Sequence, residues 1–278
     1  MRRDILFIIL ILLLSINTAV YGAQNFAPAN KKAGAESAEA DIIIEPPAAR
    51  FAEYEKLTYR VKWLGLPVGI ITASIKGIEK IRGRDAYHLE VLVKTNDFCS
   101  AIYKIDDRFT SYMDAEGLYT LRHEVHRREG GYKKDAVTDF DQVNHKAYFE
   151  NFLDKSKKEF TIPPNTQDTL TASYYFRTLP IQVGKRIEYA VCNNESNYKL
   201  FGLIEGKGIV RIPKLGRQKS FYIQPYAKLK GQKVKKGRVS GYFSCDERRL
   251  PLLAVVRAPM LTKVAAYLSD IEYRQKPE

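Results

Sequence analysis

From Glu53 to Tyr273 apolar and polar side chains alternate in short runs, and Gly, Pro, Asn or Asp separates one run from the next. In "KLTYRVKW" Leu57, Tyr59, Val61 and Trp63 fall on one face and Lys56, Thr58, Arg60 and Lys62 on the other, the period-two signature of a half-buried strand. "GLPVG" interrupts that strand, and "IITASIKGI" resumes the alternation with Ile71, Ala73 and Ile75, so the first two strands form a hairpin. The pattern then repeats through "AYHLEVLVK", "YKIDDRFTSYMD", "LYTLRHEVHR", "HKAYFEN", "RIEYAVCN", "KSFYIQPYAKL" and "LLAVVRA", with a last strand or short helix over "TKVAAYLSDIEY". These runs are rich in β-branched and aromatic residues, which suit a pleated surface. The chain is therefore expected to be all-β and mainly antiparallel, a curved meander that closes into a sandwich or a partly open barrel because a flat sheet of this size is unusual.

One segment departs from the pattern. "DTLTASYYFRTLP", Asp168 to Pro180, is helical in period, with Asp168 or Thr166 as N-terminal cap, Arg177 in the last turn and Pro180 as the stop. At 100° per residue Leu170, Ser173, Tyr174 and Arg177 cover one side while Ala172, Tyr175, Phe176 and Leu179 cover most of the other. A helix lying on a sheet needs only one apolar stripe. Bulky groups all round predict instead a short helix over about 168–179, enclosed by the curved sheet. There Tyr174, Tyr175 and Arg177 either plug the interior or, together with Trp63 and Tyr59, line a ligand cavity.

The ends read differently. Residues 1–23 place Arg2 and Arg3 before the apolar run Ile5 to Leu14 and a small-residue region, the build of a secretory signal peptide. That run is about half of the ~20 residues a membrane span requires. Tyr21, the third residue before a cleavage after Ala23, leaves an uncleaved anchor as the alternative. Residues 24–52 are an Ala/Pro-rich tether, and 53–278 form a single β domain. An exported chain is thus expected, placed in the periplasm or cell envelope.

Charge adds a candidate surface. The net charge is +13, and the stretch from Lys207 to Arg238 contains no acid. A basic surface meets whatever polyanion its compartment offers, here lipid, lipopolysaccharide or acidic glycan rather than nucleic acid. Lys228, Lys230, Lys233, Lys235, Lys236 and Arg238 are the candidate anion-binding residues. Alternatively the same lysines are a solvated hairpin tip that keeps a sheet edge from pairing.

Catalytic signatures are weak. His123 and His126 in "HEVH" would fall on opposite faces of a strand, so joint metal ligation is geometrically poor. Cys99, Cys192 and Cys245 contain no close pair, no GxSxG elbow occurs, and the glycines of "GLIEGKG" are wrongly spaced for a phosphate loop. No enzyme activity, catalytic residue, metal or cofactor is expected, and the chain reads as a monomer.

Three regions carry a resemblance. "YRVKWLGLPVG" (Tyr59, Val61, Trp63, Gly65, Gly69), the helix residues Asp168, Leu170, Thr171, Tyr174, Tyr175 and Arg177, and "DERRLPL" (Asp246, Arg249, Pro251) resemble the motif regions of the exported bacterial family known as domain of unknown function 3108, with Thr171 standing where serine is expected. The resemblance implies an envelope protein of antiparallel β architecture, akin to the curved open barrels of lipoprotein carriers. It brings no activity with it. Residues and resemblance together point to a non-enzymatic binding or carrier module for an apolar or anionic envelope ligand, or else to an assembly protein docking an envelope partner through its basic segment.

Overall fold

The computed structural model describes residues 51–273, apart from 53, 194, 235–237 and 258–262. The expected signal peptide, most of the expected tether, Lys235 and Lys236 lie outside the described residues. In chain order the elements are β1 (Glu55–Trp63), β2 (Leu66–Ile81), β3 (Arg84–Thr95), α1 (Asp97–Ile102), β4 (Asp106–Asp114), β5 (Thr120–Glu129), β6 (Tyr132–Asp141), β7 (Lys146–Asn151) and β8 (Lys157–Thr161). The helix α2 (Thr171–Thr178) precedes β9 (Arg186–Asn193), β10 (Ser196–Ile212), β11 (Gly216–Ile223), β12 (Tyr226–Leu229), β13 (Gln232–Lys233), β14 (Arg238–Ser244), β15 (Pro251–Arg257) and β16 (Lys263–Tyr273).

All sixteen strands belong to one antiparallel sheet. Strands β1 to β8 follow one another as a meander, and β16 pairs with β1, so the two ends of the domain meet in the middle of the sheet. On the far side β15, β14, β11 and β10 continue, with β9 on the outer flank of β10. The last segment is β16, a strand throughout.

The strand ladder does not close, since β8 and β9 do not pair. The residues between them bridge the gap instead. Gln167 makes a parallel bridge to Val191, Asn197 Nδ2 donates to the Thr161 carbonyl at 2.6 Å, and Lys158 reaches Glu195 at 3.6 Å. The architecture is a partly open barrel whose seam is held by side chains and loop backbone.

The alternation read from β1 is realised: Leu57, Tyr59 and Val61 are at most 3% exposed. Gly69 in β2 lies so close to β3 that a Cβ there would collide with the Lys94 carbonyl, which explains the glycine. Three apolar clusters fill the interior, the largest built from β1–β4, β10, β15, β16, Leu170 and Tyr174. A second gathers Phe176, Leu179, Ile187, Ile204, Phe221 and Ile223, and a third surrounds Phe140 and Cys192.

Three features differ from the sequence reading. Helix α1 is absent from it, because six residues are too few to reveal a period; Asn96 caps the helix by accepting from the Cys99 N–H. Phe51, placed in the tether by composition, packs edge-on to Tyr87 and Tyr174, with centroids 5.5 Å apart in each pair. Asp107, which with Arg108 in "KIDDRF" reads from the sequence as an edge-of-sheet charge, is 1% exposed, because β4 runs between β3 and β5 and turns Asp107 to its buried face.

Candidate functional site

Helix α2 is lodged inside the curved sheet. Thr171, Ala172, Tyr174, Phe176, Arg177 and Thr178 are all buried, and Tyr175 is half-buried. Local chemistry holds its start. Asp168 Oδ1 accepts from the backbone N–H of Leu170 at 2.6 Å and of Thr171 at 3.1 Å, so Asp168 caps the first turn as the sequence predicts. The same carboxylate accepts from Thr120 Oγ1 at 3.0 Å, and Thr120 Oγ1 lies 2.6 Å from Thr171 Oγ1. The helix is thereby fastened to β5. Its middle is held from β9, where the Tyr189 hydroxyl donates to the Ala172 carbonyl at 3.0 Å.

At the other end Arg177 is the focus. Its guanidinium makes a bidentate pair with Glu55, 2.7 and 2.8 Å long, and both residues are only 4% exposed. Nε donates to the Arg248 carbonyl at 3.1 Å, while Arg249 donates to the Arg177 carbonyl at 3.2 Å. The guanidinium also lies over the rings of Phe51 and Tyr174, 5.2 and 5.3 Å from their centroids. Burial works against the cation, yet the bonds to Glu55 outweigh it and hold the pKa above the ordinary arginine value. Asp246 steadies the neighbouring turn by accepting from Ser244 Oγ at 2.6 Å and by pairing with Arg248.

Arg177 therefore joins three distant stretches of chain: the start of β1, the end of α2 and the turn from β14 into β15. The Tyr59, helix and "DERRLPL" regions converge on one interior point. Glu55 was missed by sequence reasoning; an acid at the first position of a strand that otherwise alternates without error was the available signal.

Around that point polar atoms lie buried without a hydrogen-bond partner among the described residues: the hydroxyls of Tyr59 and Tyr174 and, farther along β1, Trp63 Nε1. Burial pushes the Tyr59 phenol well above its usual range, with Arg177 pulling it back in part, and burial raises Tyr174 likewise. Tyr175 turns instead toward Tyr189, ring centroids 5.1 Å apart. Tyr59, Tyr174 and Arg177 are thus brought together, Tyr175 faces β9, and Trp63 stands at the far end of β1.

The histidines occupy two environments. His126 pairs with Asp135 at 2.6 Å on the outer face. His123 points the other way, with Nδ1 2.8 Å from Ser111 Oγ and 3.6 Å from Asp168 Oδ1. Serine and aspartate approach the same ring nitrogen, whereas a Ser-His-Asp relay requires opposite nitrogens. Among the described residues no group of three His, Cys, Asp or Glu is placed to hold a metal ion.

The described part of the basic segment is an ordered ribbon. Phe201 and Tyr226 stack at 5.2 Å, Lys228 Nζ sits 4.7 Å from the Phe201 centroid, and Lys233 Nζ 4.5 Å from that of Tyr226. Lys230, in the turn between β12 and β13, is exposed, as is Arg238 at the start of β14. Two cavities of ≈ 520 and ≈ 450 Å³ open on the outer face of β3–β6 and β2–β6 respectively, lined largely by charged side chains such as Arg108, Arg122, Glu124 and Asp139.

The fold has a solved counterpart. A β-barrel-like protein from Brucella abortus, of the domain of unknown function DUF1849, superposes with a TM-score of 0.55 at 8% identity, covering 82% of this chain and 100% of that one. A "putative lipoprotein" from Parabacteroides distasonis matches more distantly, with a TM-score of 0.35, 6% identity and coverages of 84% and 100%. A "putative exported protein" from Bacteroides fragilis gives 0.29, 11% identity and coverages of 80% and 97%. No curated protein matches the chain. The family model of the proteins of unknown function DUF3108 spans residues 58–263, from β1 through all three convergent regions to the start of β16, and the chain belongs to that family.

Proposed function

We propose that this chain is an exported, non-enzymatic binding module of the cell envelope that takes a lipid or glycolipid into the interior of its open barrel, with α2 as the internal gate. The observation that carries this reading is the pair of unpartnered phenols at the convergence point. A buried polar group without a partner costs about 1–3 kcal/mol, and native proteins leave few of them. Tyr59 and Tyr174 lie beside the Glu55–Arg177 pair inside an otherwise apolar core. An amphiphile with an ester, amide or phosphate acceptor would satisfy both hydroxyls while its acyl chain replaced side-chain contacts. Lys228, Lys230, Lys233 and Arg238, with Lys235 and Lys236, are positioned in sequence to meet the anionic head groups of the membrane that supplies it.

The test is native mass spectrometry, followed by organic extraction, of the chain purified from the cell envelope without detergent. A stoichiometric lipid adduct that disappears in the Tyr59→Phe/Tyr174→Phe variant is the expected result; Phe keeps the ring and removes only the acceptor-seeking group. A clean apo mass with no uptake of added envelope lipids would refute it. The described ribbon, where Lys228 and Lys233 sit over the Phe201 and Tyr226 rings, favours a second reading, in which it docks an envelope protein. That reading predicts a salt-sensitive complex lost on neutralising Lys228, Lys230 and Lys233.

A further inference from the structure

The end of the sheet that carries the β1–β2 turn exposes apolar side chains in a way the fold does not require. Leu64 and Leu66 flank Gly65 in that turn and are 61% and 69% exposed. Helix α1 stands at the same end, because Asn96 donates from Nδ2 to the Pro67 carbonyl at 2.8 Å and from its backbone N–H to the Val68 carbonyl at 3.0 Å. This helix has no buried residue at all, and its Phe98 and Ile102 are 78% and 73% exposed. Four large apolar groups thus lie exposed at one end of the barrel, outside its buried core.

Beside them runs a row of cations. Arg238 of β14 is registered opposite Arg257 of β15, and Arg257 opposite Lys263 of β16. Like charges directly opposite across strands are destabilising, all three are exposed, and none makes an ion pair among the described residues. The row adjoins the apolar turn, since the Leu64 N–H donates to the Lys263 carbonyl at 3.0 Å. Register carries the basic ribbon to the same end: Tyr222, Tyr242, Leu253, Tyr267 and Arg60 are aligned across five strands, and β12 lies beyond Tyr222 as the β1–β2 turn lies beyond Arg60. The described acids at the α1 side of this end are Asp97, Asp106 and the buried Asp107 and Glu129; Lys94 pairs with Asp106 at 3.2 Å and Arg127 with Glu129.

We infer that this end is a docking surface for an anionic lipid bilayer, with the β1–β2 turn and α1 entering the headgroup boundary and the Arg238–Arg257–Lys263 row lying on lipid phosphates. Apolar tips framed by unpaired cations are what interfacial binding uses, and a bilayer resolves the cross-strand repulsion that the fold leaves uncompensated. The inference extends the headgroup part of the proposed function from Arg238 to Arg257, Lys263 and the apolar tips, and does not depend on an interior ligand.

The test is flotation of the exported chain with phosphatidylglycerol/phosphatidylethanolamine vesicles and with phosphatidylcholine vesicles, at low and high salt. Each surface cation near an anionic membrane contributes enough that three favour the anionic vesicles by roughly 100-fold, and 1 M salt, with a Debye length of about 3 Å, should erase most of that preference. Leu64→Ser/Leu66→Ser/Phe98→Ser, all at exposed positions, should leave the melting temperature unchanged and abolish flotation. Arg257→Gln/Lys263→Gln should remove the anionic preference alone. Flotation of the serine variant at the wild-type level, equal binding to both vesicle types, or no flotation of the wild type overturns the inference. Tyr59→Phe/Tyr174→Phe should float normally, which separates failure here from failure of the interior site.

Discussion

Replacing Arg177 with Met probes the convergence point directly. The Glu55–Arg177 pair is bidentate and almost fully buried, so removing one partner leaves the other uncompensated, at a cost of about 3–5 kcal/mol. For a domain of this size each kcal/mol moves the melting temperature by ~2–4 °C, so Arg177→Met should lower it by roughly 6–20 °C. Glu55→Gln alone should cost a similar amount. The double variant should cost far less than the sum, because neither charge is then stranded, and the coupling measured by the cycle should exceed ~2 kcal/mol. Guanidinium unfolding monitored by tryptophan fluorescence reads all four corners, with Trp63 as the sole reporter. Additive single losses, or a loss below ~1 kcal/mol for Arg177→Met, would show that Glu55 reaches water and that the pair does not bind helix to sheet.

Tyr174→Phe should leave the ligand-free chain as stable as the parent or more stable by up to ~1–2 kcal/mol, measured by calorimetry after delipidation, because it deletes a buried hydroxyl that has no partner. Gly69→Ala should destabilise by ~1–3 kcal/mol in urea, since the new methyl meets the Lys94 carbonyl and backbone must move. Burial, together with the neighbouring Glu129 carboxyl, raises Asp107 well above the usual carboxylate range. The folded chain then keeps a proton that the unfolded chain releases near pH ~3.9, so this group's contribution falls as pH rises toward neutrality. Asp107→Asn should flatten that decline in a series of melting temperatures from pH 5 to 8.

The strands were legible because each buries one face, and burial on one face writes itself as alternation. The helix was legible too, including its Asp168 cap and its enclosure, because its bulky groups leave no side free for solvent. What closes the site was not. Glu55 and Arg177 lie 122 positions apart, and no local pattern tells a buried acid at a strand's first position from a solvated one. Asp107 misled for the same reason: only the sheet order, which puts β4 between two neighbours, turns an apparent edge charge into an interior one. Helix α1 was invisible because it is six residues long and buries none of them fully, and periodicity reports only what is buried.

The pairing of β1 with β16 has a kinetic consequence. Lys56 and Glu272 bond at 2.7 Å, so the first of the described strands to be synthesised must wait for the last before the centre of the sheet can zip. Contacts of such long sequence separation fold slowly. Until then β1 presents an unpaired edge of alternating apolar residues, open to pairing with other chains. A chain stalled or clipped before Lys263 would stay in that state: two half-sheets, each with a raw edge, and a destabilised helix between them. Chaperone demand should therefore peak just before β16 is made, and proteolytic quality control need only sense the absence of one strand.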